Sequence, residues 1–347
     1  MKLESFEDVR ASIAKNPSRP FHLLLGNGFS VAYDATIFSY NALHSFVSKL
    51  NDPDLSKILE VIETRNFEVI MQYLDHFSAL ITALGGDRAL KKRVDAASMK
   101  LKTSLLNAVK ALHPEHVFTV QEKQSRACAA FLETFLGTEG SIFSTNYDLL
   151  LYWVLMRNSQ AVAHVDGCGR ELLNDTGGFM EPEDQIWSDL TWGKYRENQN
   201  VFYLHGALQF FDSGTEVVKE EYDEYNYLLE KIGARMETGE YPIFVTAGDG
   251  QQKLKHITHN QYLTACYRSL CTAKGSLVTF GFGFGPYDEH IIGAINRAAR
   301  QTAPNKLWSI YIGVYSDADK KHIEKIAAKF RCKVHVYDAK AVNVWGR

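Results

Sequence analysis

Short, mostly apolar runs that end at glycine or small polar residues are the feature that most restricts how this sequence can fold. Four such runs lie at 21–25, 141–145, 201–204 and 277–281. Runs of this length bounded by turn residues are typical of strands buried on both faces of a sheet. Helical patterns separate them, as at 55–84, where leucine and isoleucine recur at intervals of three and four residues. This alternation predicts an α/β fold with a Rossmann-like, mostly parallel sheet and helices on both faces.

The spacing of these runs also predicts the domain organisation. With 347 residues the chain can form one large core or two modest ones, and the alternation favours a single domain over 1–347. A large helical insertion is predicted at about 43–136, between the first two strands. Loops or insertions are expected at about 164–200, which is rich in Gly, Asp and Trp, and at the polar region of about 212–260. A strand–helix–strand unit at 308–337 completes the sheet.

Charge and hydropathy exclude several classes of partner. The formal net charge is −3, which gives no electrostatic reason to expect a nucleic-acid partner. The first twenty residues are polar and lack the apolar stretch of a secretion signal, and no run of about 18 apolar residues predicts a membrane span. We therefore expect a cytoplasmic protein that binds neither membranes nor nucleic acid directly.

Cysteine and histidine usage gives little support for a metal site. The cysteines number five, which is odd, and none of them forms a C-x-x-C pair, so a disulfide framework and a zinc ribbon are both disfavoured. His256 and His259 have helical spacing but no evident third ligand. The sequence therefore predicts reduced thiols and no bound zinc. The cysteines are Cys128, Cys168, Cys266, Cys271 and Cys332.

The first strand leads into the turn Gly26-Asn27-Gly28-Phe29-Ser30. Glycine at two positions lets the backbone approach a pyrophosphate, and free N–H groups at the next helix start can bind an anion. The dehydrogenase fingerprint requires a third glycine where Val31 stands, which weakens a hydride-transfer interpretation. A tight strand-to-helix turn with Ser30 as a cap explains the segment equally well.

The second strand leads into Ser144-Thr145-Asn146-Tyr147-Asp148. The amide of Asn146 can donate and accept at once, which suits a ribose hydroxyl or a water molecule, and Asp148 can accept from ribose hydroxyls. The simpler alternative is that Asp148 caps a helix and Asn146 lies in a turn.

The last two strands end in comparable positions. His205 follows the apolar run Tyr203-Leu204, and histidine is the side chain best suited to exchange a proton near neutral pH. A buried core histidine is the commoner case. The final run leads into Gly281-Phe282-Gly283-Phe284-Gly285 and then Asp288, which leaves room for a phosphate or adenosine, or forms a flexible turn before a capped helix.

Four motifs, taken in their order along the chain, resemble those of the sirtuin-like family. They are Gly-Asn-Gly-Phe-Ser, Ser-Thr-Asn-Tyr-Asp, Leu-His-Gly and the late glycine turn. The resemblance extends over about 21–292. It is closest to the bacterial sirtuin-like branch whose characterised members degrade NAD in anti-phage defence.

This resemblance implies an NAD hydrolase that releases nicotinamide and ADP-ribose. It implies that Asn146 and His205 are the catalytic pair and that NAD is bound as the substrate. The residues implied to bind it are Gly26, Asn27, Gly28, Ser30, Thr145, Asp148, Gly281, Gly283 and Asp288.

One departure from the family argues against deacylation. Classical deacylating sirtuins carry a four-cysteine zinc module soon after the catalytic histidine, whereas Ala207-Leu208-Gln209-Phe210 follows here. An NAD-dependent deacylase or ADP-ribosyltransferase and a non-catalytic NAD or ADP-ribose sensor remain as alternatives. The resemblance further implies a bacterial defence effector that is restrained as a homo-oligomer or by a partner ATPase of the HerA type.

Overall fold

The computed structural model describes residues 1–16, 19–34, 53–62, 67–114, 116–175, 177–222, 226–245 and 250–346. The helices in this part of the chain are α1 (Phe6–Ala14), α2 (Gly28–Tyr33), α3 (Pro53–Ile62), α4 (Phe67–Ala83), α5 (Arg88–Leu112), α6 (Glu122–Leu136), α7 (Leu150–Arg157), α8 (Leu228–Glu237), α9 (Gly250–His259), α10 (Gln261–Cys271), α11 (Glu289–Ala299) and α12 (Asp317–Ile326). The strands are β1 (Leu3–Glu4), β2 (Phe21–Leu25), β3 (Ile142–Ser144), β4 (Cys168–Gly169), β5 (Thr191–Trp192), β6 (Val201–Tyr203), β7 (Gly206–Asp212), β8 (Val217–Lys219), β9 (Pro242–Phe244), β10 (Gly275–Phe280), β11 (Leu307–Val314) and β12 (Lys333–Asp338).

The main sheet has seven strands in the order β1-β12-β11-β10-β2-β3-β6, and every neighbouring pair is parallel. The central strands β2, β3 and β10 are buried almost throughout, as their apolar sequences require. Helices flank the sheet, so the predicted α/β, Rossmann-like fold is confirmed. The four strands singled out in the sequence form the continuous block β10-β2-β3-β6, so their carboxyl ends lie side by side.

A second, antiparallel sheet has the order β4-β5-β8-β7-β9. Most of its strands lie in the regions at about 164–200 and 212–260, for which the sequence predicted only loops or insertions. β7 begins directly after His205, and Val245 N donates to His205 O over 2.9 Å just beyond β9. This sheet therefore holds the backbone at the end of β6 in place.

The predicted helical insertion between β2 and β3 contains α3, α4, α5 and α6. α4 and α5 pack against each other, and Arg93 of α5 forms an ion pair with Asp54 of α3, with 2.6 Å between Nη2 and Oδ1. The start of this insertion, at 43–52, lies outside the described residues. None of the described helices is long and apolar enough to cross a membrane.

Trp345, near the C-terminus, fixes the helix that follows the first glycine turn. Its indole Nε1 donates to Phe29 O over 3.0 Å, and its ring contacts those of Phe29 and Tyr33. All three side chains are buried. The short helix α2 is therefore held by tertiary packing, because six residues are too few for a helix that is stable alone.

Candidate active site

The carboxyl ends of β2, β3, β6 and β10 open onto one cleft, with a cavity of about 240 Å³. This is the edge at which ligands bind in open parallel sheets. The lining comes from the turns that follow these four strands, from α9 and from the segment before α11. It consists of Asn27, Thr145, Asn146, Tyr147, His205, Lys253, Gly281, Phe282, Gly283, Gly285, Tyr287 and Asp288.

A buried hydrogen-bond chain fixes the side chain of Asn146. Its Nδ2 donates to Ser30 Oγ over 3.0 Å, and Ser30 Oγ donates in turn to Asp148 Oδ2 over 2.5 Å. The other carboxylate oxygen of Asp148 accepts from Leu150 N over 3.0 Å. Since Nδ2 is tied to the protein, the amide carbonyl is the end of Asn146 that is free to meet a ligand.

Asp148 therefore lies behind Asn146 and does not line the cleft. Its side chain is buried, and burial raises the pKa of the carboxyl group although the hydrogen bond from Ser30 opposes the shift. Asp148 accepts from the first residue of α7, as the simpler alternative from the sequence expects, and it also accepts from Ser30 in the polar chain that ends in the cleft. The ribose contact implied for Asp148 would act through Ser30 and Asn146.

The first glycine turn packs against the last one. A Cβ at Gly26 would lie 2.5 Å from Gly281 O, and one at Gly28 would lie 2.5 Å from Gly281 Cα. The backbone N–H groups of Gly26 and Gly28 donate to Phe280 O and Gly281 O over 3.0 and 2.9 Å. The glycines therefore allow two turns to approach each other, and these two N–H groups are not free to bind an anion as the sequence suggested.

The later half of the last turn is more open. A Cβ at Gly283 would meet no atom within 4 Å, and Gly283 lines the cavity. Phe284 adopts φ +49°, in the left-handed region that side chains rarely occupy. Its ring packs edge-on against Phe282 and Phe330, which holds this backbone conformation.

His205 forms a hydrogen bond with a second buried histidine, His290 of α11. The two Nε2 atoms lie 2.8 Å apart and the rings stack with 5.0 Å between centroids. Burial lowers the pKa of His205 well below its usual value, and the neighbouring His290 and Lys253 add to the effect. Burial also lowers the pKa of His290, to about 3. Both imidazoles are therefore neutral at physiological pH.

Lys253 of α9 brings a buried positive charge to the cleft. Its Nζ lies 3.3 Å from Asp288 Oδ1, while Asp288 Oδ2 accepts from Gly285 N over 3.0 Å. Asp288 is at the N-cap position of α11, but its side chain makes no capping hydrogen bond to that helix. Asp288, which the sequence predicted to be a helix cap, instead bonds to the backbone of the glycine turn at Gly285 and forms an ion pair with Lys253.

The sequence matches, over residues 23–345, the family described as "Domain of unknown function (DUF4917)". The chain belongs to this family. The matched region of the DUF4917 domain runs from β2 to Trp345 and so includes all four strand ends of the cleft. No curated protein matches the sequence significantly.

Not all of the predicted site residues line the cleft of this DUF4917 domain. Seven of them do: Asn27, Thr145, Asn146, His205, Gly281, Gly283 and Asp288. Gly26, Gly28, Ser30 and Asp148 instead form the layer directly beneath. The catalytic pair proposed from the sequence, Asn146 and His205, meets at one cavity.

Sequence reasoning missed Lys253, Tyr287 and His290. Lys253 lies in the region expected to be an insertion, and nothing in its neighbourhood distinguished it from a solvated lysine. His290 could have been predicted from the sequence, since it lies two residues beyond Asp288 in the helix expected after the last glycine turn. In the part of the chain that the structure describes, no three His, Cys, Asp or Glu side chains are grouped to hold a metal ion.

Proposed function

We propose that this protein hydrolyses NAD to nicotinamide and ADP-ribose in the cleft at the carboxyl edge of the main sheet. The observation that carries the proposal is that Asn146 and His205, which follow the neighbouring strands β3 and β6, line one cavity. The same two residues match the catalytic pair of the sirtuin-like family. The glycine turns, and the order of the motifs along the chain, also resemble that family.

The residues at the cleft are compatible with the reacting end of NAD. A cavity of about 240 Å³ is slightly below the ~300–1,000 Å³ usual for small-molecule pockets, so it suits a nucleoside-sized part of the dinucleotide. Asn146 offers an acceptor to a ribose hydroxyl or to water. Gly283, with its open backbone, and Lys253, with its ammonium group, also line the cavity, and in this proposal they bind the anionic pyrophosphate.

Departure of nicotinamide requires no general acid, because a neutral group leaves a cationic ring. The ribose develops oxocarbenium character, so the protein must position the ring and admit only the intended nucleophile. In this proposal Asn146 fixes a ribose hydroxyl or the attacking water. Its orientation is set beforehand by Ser30 and Asp148.

His205 acts as the base toward the water or a ribose hydroxyl. A base must be unprotonated to act, and burial keeps His205 neutral at physiological pH. Assistance of this kind typically accelerates a reaction ~10²–10⁴-fold.

The biological setting is proposed from the sequence resemblance. It comprises a role in anti-phage defence in the bacterial cytoplasm, and restraint through homo-oligomerisation or a partner ATPase of the HerA type. Such restraint is expected because free NAD hydrolysis is toxic to the cell that carries it.

The decisive experiment is to incubate the purified full-length protein with NAD and to separate the products by chromatography. Nicotinamide and ADP-ribose should appear in equal amounts, and His205→Ala should produce neither. Because a restrained enzyme needs its activator, the same comparison is made in cells by following NAD depletion. Equal depletion by wild type and by His205→Ala would contradict the proposal.

A further inference from the structure

The histidine pair at the cleft has a consequence for how His205 works, and this inference rests on the proposed function. We propose that His290 is a positioning residue: it accepts a hydrogen bond from Nε2–H of His205 and so leaves Nδ1 of His205 as the basic nitrogen. The distance of 2.8 Å between the Nε2 atoms requires one ring to donate and the other to accept.

The direction of this hydrogen bond decides whether His205 can be a base. If His290 donates, then neutral His205 carries its proton on Nδ1 and has no free lone pair for the ligand. If His205 donates from Nε2, its Nδ1 is unprotonated. Only the second arrangement lets His205 take a proton from ribose or water. That proton then resides on Nδ1, and the positive charge of the imidazolium is stabilised by the neutral acceptor at His290.

A purely structural role for His290 is disfavoured by its other nitrogen. Nδ1 of His290 is buried and has no hydrogen-bond partner within the described residues. When His205 donates, neutral His290 carries its own proton on this Nδ1, so a buried N–H stays unsatisfied, at a cost of about 1–3 kcal/mol. Buried unsatisfied groups in native proteins need an explanation, and a functional role is a recurrent one.

The backbone around His290 is held firmly, which suits a positioning role. Tyr267 of α10 donates its hydroxyl to His290 O over 3.0 Å, and His290 lies in the first turn of α11. The charged and titratable groups that face the pair are Lys253 and His256 of α9, with Asp288 bound to Lys253. The positive charge of Lys253 disfavours protonation of either ring at rest, so the pair stays neutral until a ligand supplies the proton.

The test compares His290→Leu and His290→Gln in the full-length protein. Leucine removes the acceptor, whereas the glutamine carbonyl can replace Nε2. Leucine should lower kcat for NAD by about 100-fold or more, with the Kd for ADP-ribose changed less than about threefold. Glutamine should recover at least about tenfold of the loss.

His164→Leu is the matched control, because His164 bonds to Val162 O outside the cleft, and its kcat should equal that of wild type. Melting temperatures establish that each variant is folded.

A second measurement does not depend on activity. Nitrogen chemical shifts of histidine-labelled, ligand-free protein report which ring nitrogen of His205 is protonated. The proposal requires Nε2–H in wild type and in His290→Gln, and a mixture of tautomers in His290→Leu. Protonation at Nδ1 in wild type would overturn it, as would an unchanged kcat in an active His290→Leu. If wild type depletes no NAD either as purified protein or in cells that supply its activator, while the Nε2–H tautomer depends on His290, the NAD reaction is refuted and the positioning of His205 stands.

Discussion

At the scale of single residues, the cleft contains two sets of hydrogen-bonded polar side chains. Asn146 is backed by Ser30 and Asp148, and His205 is backed by His290. In each set the side chain at the cavity is oriented by a buried partner. Such preorganisation lets catalytic groups meet a ligand without first being ordered.

The first prediction concerns the two residues proposed to act on NAD. Asn146→Ala and His205→Ala should each reduce NAD hydrolysis by about 100-fold or more, because each removes one part of the same step. The double variant should be no worse than the poorer single variant, since residues that serve one step fail together. His76→Ala, an exposed histidine of α4, is the control. Additive losses would show that the two side chains act independently.

The second prediction concerns Ser30. Ser30→Ala leaves Asp148 Oδ2 without its donor and Asn146 Nδ2 without its acceptor, so the free energy of unfolding should fall by about 1–3 kcal/mol. NAD turnover should fall as well, because Asn146 loses its fixed orientation. Ser276→Ala is a matched control, since it removes a buried hydroxyl that bonds to Ser309 within the sheet. It should reduce stability alone. Equal turnover in both variants would contradict the role given to Ser30.

At the scale of elements, the two glycine turns form a unit. The turn after β2 and the turn after β10 touch through backbone atoms, because these strands are neighbours and both turns lack side chains at the contact. This close approach brings the segment containing Gly283 to the cleft. The glycines of the first turn thus affect the shape of the cleft by determining where the second turn lies.

The third prediction separates these two roles. Gly28→Ala places a Cβ 2.5 Å from Gly281 Cα, so it should lower the free energy of unfolding by about 1–3 kcal/mol. Gly283→Ala meets no atom within 4 Å and should keep the melting temperature of wild type. It should nevertheless weaken ADP-ribose binding, because its methyl group would lie at the cavity. Scanning calorimetry measures the stability of each variant, and titration calorimetry measures its affinity for ADP-ribose. Normal ligand binding by a folded Gly283→Ala would place the ligand elsewhere.

At the scale of the whole molecule, several histidines are buried in the neutral state. Burial lowers the pKa of His22 and of His113 to about 4. Both ring nitrogens of His22 have hydrogen-bond partners within the fold, because Nδ1 accepts from Ser141 N and Nε2 bonds to Lys274 O, both over 2.9 Å. His113 accepts from Leu149 N over 2.8 Å. These histidines and the pair at the cleft link folding to pH.

The fourth prediction is that acid destabilises the protein well above the range in which carboxylates titrate. In the unfolded chain histidine has a pKa of ~6.5, so below this pH the unfolded state binds protons that the folded state cannot. Stability should therefore fall as pH drops from about 6.5 to about 4. The loss should be on the order of 3 kcal/mol for each of His22 and His113.

The raised pKa of Asp148 acts in the opposite sense and offsets part of this loss of stability at low pH. Denaturant unfolding at neutral pH and at about pH 5 measures the effect, and equal stability at the two values would contradict it.

The fifth prediction concerns the ligand. A compound that binds only the folded state stabilises it, by about 2.7 kcal/mol at 100 times its dissociation constant. Millimolar NAD or ADP-ribose should therefore raise the melting temperature of wild type, and ADP-ribose should still do so in His205→Ala. No shift with either compound would remove the basis for an NAD site.

The sequence by itself determined the main sheet except for β1, and it predicted seven of the residues that line the cleft. β2, β3, β6 and β10 were predictable because buried parallel strands need uninterrupted apolar residues, and their ends are marked by glycine or small polar side chains. Asn146 and His205 were found for the same reason, since each follows such a strand. The second sheet was not predicted, because strands of two or three residues such as β4, β5 and β8 are too short to show a period.

Only the tertiary structure decided which polar groups are partners. Ser30 and Asp148 are 118 residues apart and His205 and His290 are 85 apart, so no local pattern relates them. Lys253 is buried because α9 packs beside α11, and its own sequence resembles that of an exposed helix. Hydrophobic periodicity reports which face of an element is buried, whereas hydrogen bonds and ion pairs depend on distances that arise only when the strands and helices are assembled.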